Sequence, residues 1–457
     1  MNEITRPLAR HVVSARPEHL PEAVRHAGVR AFHNSLGCML GGCSEEVVQK
    51  AALSMARFSG PAQATVIGQK RRMDPPTAAA LNTMSNFVHS YNDTHLATVA
   101  HPAGAPTSAV LALSEMQRIS GADAVTALVL GIEVACRLAN VIAAPPAQCH
   151  VGLSTHGVTN VIGTAVTAGK LMRFNEDQMV WAIGLAVTQA AGLRSAHGSM
   201  ASKLIGGMAA RAGMMSAYLA ADGFTCGELP IEGPKGFADV FGHPAHLPYA
   251  LDRLGEHYEM TLNAYKPFPA GIVNHAAADA CLKLAAAENL DPASVDTVLL
   301  RVHPMTVKLC DRPQPADRMQ GLVSVQHWAA VSLLYRRAGL REGTNACVRD
   351  PAVAAMRARI RVQPDDSLAS DAAAVRVRLK DGRELGYHLD HCQGSEARPM
   401  SDAELDDKFR GQASLVLPAD QVEQLIGECW RLGELDDLGQ LATRYLMQAQ
   451  CPESLVR

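Results

Sequence analysis

The sequence predicts a mainly α-helical protein with a smaller α+β domain, and three observations lead to this fold class. Apolar residues recur at helical spacing through most of residues 1–264 and again in residues 401–457. Between these stretches, residues 265–400 contain short runs in which apolar and polar residues alternate, as in half-buried strands. The composition is 48% hydrophobic but only 4% aromatic, so the core must consist largely of small side chains that let helices pack closely.

The first part of the chain divides into helices with recognisable ends. Pro145-Pro146 ends one of them, and Asp222-Gly223 closes the last. This last helix is rich in Gly, Ala and Met, which indicates close contact with other helices rather than a surface position. The predicted helices cover residues 105–121, 122–141, 158–172, 176–193 and 204–221.

Strand signals mark the middle of the chain. The alternating runs lie at residues 295–303, 359–362, 375–379 and 385–389. Asp381-Gly382 stands between the last two runs and is typical of a hairpin turn. Helix returns at Ser401, where Glu404 completes a capping-box pattern. The final helical stretch can therefore pack back on the first part of the chain.

Charge and composition exclude several classes of protein. The formal charge of −3 leaves no basic excess to hold a phosphate backbone, so nucleic acid is not an expected partner. The 11 cysteines are scattered without a CxxC pair, which is typical of reduced thiols rather than a metal site. Glu133 and Arg137 interrupt the most apolar stretch, and the N-terminus lacks the order of a signal peptide. We expect a cytoplasmic protein with no membrane span.

Residues suited to acid/base chemistry are concentrated just before the predicted helix at 105. Acid, hydroxyl and imidazole groups crowd the segment from His89 to His95, and His101 follows shortly after. A helix N-terminus favours anions, and this one would stand beside general acid/base candidates. The same residues would serve equally well as helix caps and solvated surface groups. Spacing alone does not decide between these interpretations.

Other candidates stand alone along the chain. Lys203 enters an almost wholly apolar helix, where a lysine often simply extends to solvent. Lys266 lies in a Pro-rich segment, and His156 stands next to a helix start. His327 lies in an apolar helix, where a hydrogen-bonded core histidine is the usual outcome.

Several motifs in this order resemble one protein family over nearly the whole chain. They are Asn92-Asp93-Thr94 leading to His101-Pro102, Gly131-Ile132-Glu133-Val134, the small-residue stretch from Lys203 to Thr225, Glu232 to Phe237, Lys266 to Pro269, and Gly394 to Arg410. The sequence resembles the MmgE/PrpD family, which includes 2-methylcitrate dehydratase, cis-aconitate decarboxylase and iminodisuccinate epimerase. The resemblance implies a homodimer. It also implies a large helical domain formed by residues 1–264 and 401–457, with residues 265–400 as an inserted α+β domain.

The resemblance also implies a pocket between the two domains. Reactions of the family abstract or deliver a proton, or expel carbon dioxide, beside a carboxylate, and they need no metal or other cofactor if cations are already in place. We expect His101 to be the main acid/base and Lys203 and Lys266 to anchor carboxylates. Asp93 and His156 are further catalytic candidates, while Thr94 is expected to bind substrate.

Two positions depart from the family pattern. Ser90 stands where the family often has Asp, and His327 follows Gln326 where a Gln-Tyr pair is frequent. We expect both residues to bind substrate and to change the charge of the ligand that the pocket favours. We therefore expect a cofactor-independent lyase, a dehydratase or decarboxylase of a small di- or tricarboxylate. The alternatives are an epimerase or isomerase of a dicarboxylate and a non-catalytic carboxylate-binding homologue.

Overall fold

The structure is a computed structural model that describes residues 3–69 and 71–449, and it is mainly helical, as predicted. The helices are α1 (Thr5–Ser14), α2 (Glu22–Gly42), α3 (Glu46–Met55), α4 (Pro75–Val88), α5 (Gly104–Ser114), α6 (Gly121–Ala143), α7 (Thr155–Leu171), α8 (Glu176–Thr188), α9 (Ala201–Ala221), α10 (Phe237–Phe241), α11 (His275–Ala287), α12 (Pro304–Cys310), α13 (Arg318–Gly321), α14 (Val325–Tyr335), α15 (Asn345–Arg349), α16 (Pro351–Arg359), α17 (Asp402–Ala413), α18 (Ala419–Trp430) and α19 (Gly439–Leu441). The strands are β1 (Ala64–Thr65), β2 (Arg72–Met73), β3 (Asp93–His95), β4 (Asn263–Tyr265), β5 (Val295–Val302), β6 (Ile360–Pro364), β7 (Ala373–Leu379) and β8 (Glu384–Leu389).

Two hydrophobic cores organise the chain. The larger core takes residues from Ile4 to Met260 and again from Phe409 to Ala449, so both ends of the chain share it. The smaller core is formed between Phe268 and Cys392. The predicted division into residues 1–264 with 401–457 and residues 265–400 stays a prediction. Residues 450–457 lie outside the described residues.

Small residues let the helices of the larger core approach closely, as the composition indicated. A methyl group added to Gly131 of α6 would lie 2.5 Å from the backbone oxygen of Gly163 on α7. The reverse addition at Gly163 would lie 2.6 Å from the oxygen of Gly131. The backbones of α6 and α7 are therefore in direct contact at these two glycines. Any larger side chain would prevent such a close approach.

Helix α6 crosses the middle of the larger core. Its length and apolar composition would suit a membrane span, so the expectation that no segment would qualify is wrong, but its apolar window is buried entirely inside the protein. Arg137 pairs with Glu133 at 2.5 Å within this helix. The Arg137 guanidinium also donates to the backbone oxygens of Asp252 and His257. The backbone N–H of Met260 donates to Oε2 of Glu133 at 2.9 Å, so both charges are hydrogen-bonded, which is the condition for burying an ion pair.

The smaller core is covered by a four-stranded sheet in the order β6-β5-β7-β8, with helices α11 and α14 packed beside it. Strands β5 and β6 are parallel, and the other pairs are antiparallel. The predicted hairpin between β7 and β8 is confirmed, and its Gly382 has a φ of +89°. The predicted capping box of Ser401 and Glu404 at the start of α17 is also confirmed.

One helix ends earlier than its apolar pattern predicts. Helix α8 stops at Thr188 rather than near residue 193, and a loop with a short 3-10 turn at Arg194–Ala196 leads to α9. Gly192 in this loop has a φ of +153°, which favours glycine and does not continue a helix. The loop returns towards the start of α7, where functional candidates lie.

Candidate active site

A cavity of about 120 Å³ lies where the two cores meet. This is below the roughly 300–1,000 Å³ of pockets that hold drug-sized ligands, so a small ligand is favoured. The smaller core supplies an apolar wall, which includes Ile272, Val273 and Leu322. Most of the polar side chains come from elements of the larger core, and Lys266 lies between the two cores, just after β4. The polar side chains include five of the residues selected from the sequence: Ser90, His101, His156, Lys203 and Lys266.

His101 precedes α5 and has one ring nitrogen committed to the protein. Nδ1 lies 2.8 Å from the backbone oxygen of Asp93 and 3.1 Å from Oγ1 of Thr94. A carbonyl oxygen can only accept, so Nδ1 carries the proton and Nε2 is left to act on a ligand. Burial, followed by the charge of Lys266, lowers the pKa of His101 well below its usual value. Both effects favour the neutral imidazole.

His156 lies at the start of α7, beside His101. The two ring centres are 5.0 Å apart, and Phe87 of α4 lies 5.2 Å from the His156 ring. Ser154 places its hydroxyl 3.2 Å from Nε2 of His156. Burial lowers the pKa of His156 well below its usual value, and the nearby cations lower it further. The cavity thus offers two neutral imidazoles side by side.

Lys203 enters the cavity from the first turn of α9. Only 7% of the residue is exposed, and Nζ donates a hydrogen bond to Oγ of Ser90 at 3.3 Å. Burial lowers the pKa of Lys203 to about 8. Ser90 is itself in a left-handed conformation with a φ of 51°, which a serine adopts only at a cost. The sequence departure at Ser90 therefore concerns the direct partner of a buried lysine.

Lys266 follows β4 and is 2% exposed. Its Nζ donates to Oδ1 of Asn92 at 3.0 Å. Burial lowers the pKa of Lys266 to about 7, although the charge of Asp93 acts in the opposite direction. Among the described residues, no carboxylate oxygen lies within 4 Å of Nζ of Lys266 or Lys203. Neither lysine therefore forms a direct ion pair with a carboxylate of the described residues.

Asp93 and Thr94 do not line the cavity, and their predicted direct roles are revised. Oδ2 of Asp93 accepts from the backbone N–H of Ala103 and from Nδ2 of Asn263. Thr94 donates from Oγ1 to the carbonyl oxygen of Asp93. Both residues are fully buried in β3, which pairs with β4. They hold the His101 turn against the strand that leads to Lys266, so we assign them positioning roles.

His327 is also remote from the cavity, which corrects its prediction as a substrate-binding residue. It lies in α14, where Nε2 is 2.8 Å from the carbonyl oxygen of Glu342 and Nδ1 is 3.3 Å from Nη1 of Arg357. The ring is fully buried in the smaller domain. Its two nitrogens are occupied by protein groups, so His327 stabilises the fold around α14.

The structure adds polar groups that were not among the candidate site residues selected from the sequence. Arg194 and His197 line the cavity from the loop before α9, and Asn92 lines it beside Lys266. Lys408 of α17 lies behind the wall, where Nζ donates to the backbone oxygen of Lys266 at 2.9 Å. The apolar helical pattern continues to residue 193, so it did not indicate that Arg194 belongs to a functional loop. Its position shortly before Lys203 is the signal that could have identified it.

Metal ligands do not cluster in the described part of the chain. Within residues 3–69 and 71–449, no three His, Cys, Asp or Glu side chains are grouped as a metal ion would require. The cysteines in these ranges are free thiols. The expectation that the protein works without a metal or cofactor stays a prediction.

Comparison with known families and proteins identifies relatives of this fold and site. The MmgE/PrpD N-terminal domain matches residues 6–250, and the MmgE/PrpD C-terminal domain matches residues 268–432. The chain belongs to the MmgE/PrpD family. The cis-aconitate decarboxylase of Homo sapiens is 28% identical over 462 residues, which cover 97% of this chain and 94% of the relative. That of Mus musculus is 28% identical over 98% of this chain and 94% of its own length. That of Aspergillus terreus is 24% identical over 95% of this chain and 93% of its own length.

Membership in the MmgE/PrpD family confirms the resemblance drawn from the motifs. The motifs around His101, Lys203 and Lys266 converge on one cavity, although the first and the last of these residues lie 165 positions apart along the chain. The relatives named as cis-aconitate decarboxylases support an enzyme of the lyase class for this chain.

Proposed function

We propose that this MmgE/PrpD protein is a cofactor-independent lyase that decarboxylates a small unsaturated di- or tricarboxylate. The observation that carries the proposal is the pair of buried ammonium groups, Lys203 and Lys266, which line the cavity without a carboxylate partner. A buried charge without a counter-ion is costly, and an anionic ligand removes that cost. The site is therefore built to receive carboxylates from outside the protein.

The bound anion also changes the protonation of the site. Burial lowers the pKa values of Lys203, Lys266 and His101 in the empty cavity. Carboxylates next to these groups favour their charged forms and raise all three pKa values. Substrate binding thus favours the protonated form of His101, in which Nε2 is the nitrogen free to donate.

Decarboxylation then needs little more from the protein. The bond between the substrate carbon and its carboxylate carbon breaks, carbon dioxide leaves, and the electron pair remains on carbon. An adjacent double bond conjugated with a second carboxylate spreads this charge, and Lys203 and Lys266 stabilise it electrostatically. His101 gives its proton to carbon and forms the new C–H bond. General acid catalysis of this kind typically contributes about 10²–10⁴-fold.

The relatives favour decarboxylation among the lyase reactions, since those described above carry the name cis-aconitate decarboxylase. We therefore propose cis-aconitate as the first compound to test, with other unsaturated and hydroxylated di- and tricarboxylates beside it. Loss of water would instead identify a dehydratase. Exchange of a substrate proton without net turnover would identify an epimerase.

The test is turnover in D₂O followed by NMR and by carbon dioxide release. A decarboxylase yields one carbon dioxide per substrate and a product that carries one deuterium, either at the carbon that lost the carboxylate or at the far end of the conjugated double bond. Lys203→Met and Lys266→Met should each lower kcat/KM by more than about 100-fold, since each removes a desolvated charge. Lys380→Met, which removes an exposed lysine in the β7–β8 hairpin, is the matched control. If no compound in the panel reacts, the protein is a non-catalytic carboxylate-binding homologue.

The homodimer and the cytoplasmic location predicted from the sequence stay proposals. Exposed apolar side chains on α9, Leu204, Met208 and Met215, offer a surface on which a second copy could pack. Light scattering of the purified protein measures the mass directly. A mass near that of a single 48.6 kDa chain would contradict the dimer.

A further inference from the structure

The loop before α9 is fixed to the segment that carries His156. The backbone N–H of Ser154 donates to the oxygen of Gly192 at 3.1 Å, and the N–H of Arg194 donates to the oxygen of Gly152 at 2.8 Å. Leu153 and Leu193 pair between these two bonds. Arg194 is therefore held in register with the start of α7, and its position relative to His156 is set by backbone hydrogen bonds.

The guanidinium of Arg194 lines the cavity with most of its donors unused. Nη1 donates to the backbone oxygen of Val151 at 3.2 Å, which is its one side-chain hydrogen bond within the described residues. Burial lowers the pKa of Arg194, and no described carboxylate pairs with it. A guanidinium has five N–H donors in a planar fork that matches a carboxylate.

Arg194 is separate from the lysine pair but acts on the same imidazole. After burial, the pKa of His156 is lowered by His197 and Arg194 from the loop and then by Lys266 and Lys203. His156 therefore lies within electrostatic reach of two cationic groups that come from different elements. Arg194, His156 and the two lysines line the same cavity, so one ligand can contact groups from both elements.

We propose that Arg194 binds a second carboxylate of the substrate, while Lys203 and Lys266 hold the reacting end. The inference deepens the proposed function and rests on it. Two carboxylate receptors in one small cavity select a substrate whose carboxylates are separated by a short carbon chain, and they fix its orientation beside the two imidazoles. A monocarboxylate would leave Arg194 without its counter-ion.

Arg312, from the segment after α12, packs against the loop that carries Arg194. Gly198 in the same loop has a φ of +84°, and a methyl group added there would lie 2.6 Å from Nη1 of Arg312. Arg312 thus packs directly against the loop backbone and adds a further positive charge near His197. No described Asp or Glu lines the cavity to offset these charges. The charge of the cavity suits a ligand with more than one carboxylate.

The test is calorimetric binding of three saturated acids that cannot be decarboxylated by this route: propane-1,2,3-tricarboxylate, glutarate and butyrate. Wild type should bind the tricarboxylate and glutarate at least roughly 10- to 100-fold more tightly than butyrate, as expected for an added charge-assisted, bidentate contact. Arg194→Met should remove most of that difference and leave butyrate binding nearly unchanged. Arg194→Lys, which keeps the charge but not the fork, should be intermediate.

Controls separate the possible failures. Arg361→Met removes an exposed arginine of β6 and should behave as wild type, and thermal unfolding checks that each variant is folded. Equal discrimination by wild type and folded Arg194→Met overturns the subsite while the proposed function stands. If wild type binds none of the three acids, the carboxylate site itself is refuted, and the proposed function falls with the subsite.

Discussion

The guanidinium of Arg318 donates from Nη2 to Nδ1 of His89, with the two nitrogens 2.7 Å apart. Nε2 of His89 lies 3.0 Å from the backbone oxygen of Gly41 and must donate to it, so the ring is neutral and its tautomer is fixed. Arg318 also pairs with Glu45. The contact joins α13 of the smaller domain to the larger domain one residue before Ser90, at the edge of the cavity.

Arg318→Met should weaken ligand binding without removing any group that lines the cavity. The loss leaves Glu45 and His89 without their charged partner at the domain contact, which should lower the free energy of unfolding by about 1–3 kcal/mol. Because the apolar wall next to Arg318 is then less firmly held, the Kd for propane-1,2,3-tricarboxylate should rise by roughly 10-fold. Arg318→Lys should recover part of both effects. Unchanged Kd in a destabilised variant would limit Arg318 to a structural role.

Stability should fall in mild acid because several histidines are buried in the neutral form. Burial lowers the pKa of His89 and His327 to about 4, and that of His33 and His275 to about 3. In the unfolded chain a histidine titrates near pH 6.5. The unfolded state therefore binds more protons below pH 6.5, so stability is complete above that pH and decreases as the pH falls towards 4.

Urea unfolding at pH 8, 7, 6 and 5 measures this loss. Each such histidine contributes at most about 1.4 kcal/mol per pH unit within its window, and the contributions add. The expected result is a nearly constant stability from pH 8 to 7 and a steep decrease below 6.5. Equal stability at pH 7 and pH 5 would mean that these imidazoles are not buried as described.

The sequence could predict the lysines and histidines of the cavity better than their surroundings. Lys203, Lys266 and His101 belong to motifs, and their residue types suit carboxylate chemistry wherever the fold places them. Whether a neighbouring side chain points into the cavity or behind it depends on tertiary contacts. The pairing of β3 with β4 turns Asp93 away from the cavity, and it joins residues 170 positions apart that no local pattern links.

Lys408 illustrates the same limit at the other end of the chain. Its Nζ donates to Oδ1 of Asn34 at 2.7 Å and lies 4.3 Å from the ring centre of Tyr91, which is adjacent to Asn92. The contact with Asn34 spans 374 positions. Lys408 and Lys266 both belong to motifs of the family, but nothing in the sequence places the two side by side.

Anion binding should weaken as the pH rises above about 7, and Lys408 should control where this begins. The pKa of Lys266 is lowered to about 7 by burial, raised by Asp93 and Cys38, and lowered by Lys408 and Lys203. Binding of an anion requires the protonated lysine, so Kd increases once the pH exceeds the pKa of the free protein. Removing the charge of Lys408 raises the pKa of Lys266 and should move this increase to higher pH.

Isothermal titration of propane-1,2,3-tricarboxylate between pH 6 and 9 measures the onset in wild type, Lys408→Met and Lys408→Gln. Gln keeps a hydrogen-bond donor without the charge, so a shift shared by both variants reports the charge alone. Lys380→Met, at an exposed position, should reproduce the wild-type profile. A profile in both Lys408 variants that coincides with wild type would show that Lys408 acts only through packing.

Ser90→Asp should lower affinity for polycarboxylates while leaving the fold intact. Asp and Asn tolerate the left-handed backbone at position 90, where φ is 51°, better than most residues do. A carboxylate there would lie within reach of Nζ of Lys203, which donates to Oγ of Ser90 at 3.3 Å. The new ion pair would raise the pKa of Lys203 and neutralise the positive charge that otherwise binds a ligand.

The matched control is Ser90→Asn, which has nearly the same shape and no charge. Kd for propane-1,2,3-tricarboxylate should be at least roughly tenfold higher for Ser90→Asp than for Ser90→Asn, because a like charge then faces the ligand in a desolvated site. The difference should be smaller for butyrate, which carries one carboxylate. The carboxylate introduced at position 90 competes with the ligand only if both bind Lys203. Equal Kd values for the two variants would therefore show that Lys203 does not bind the substrate carboxylate.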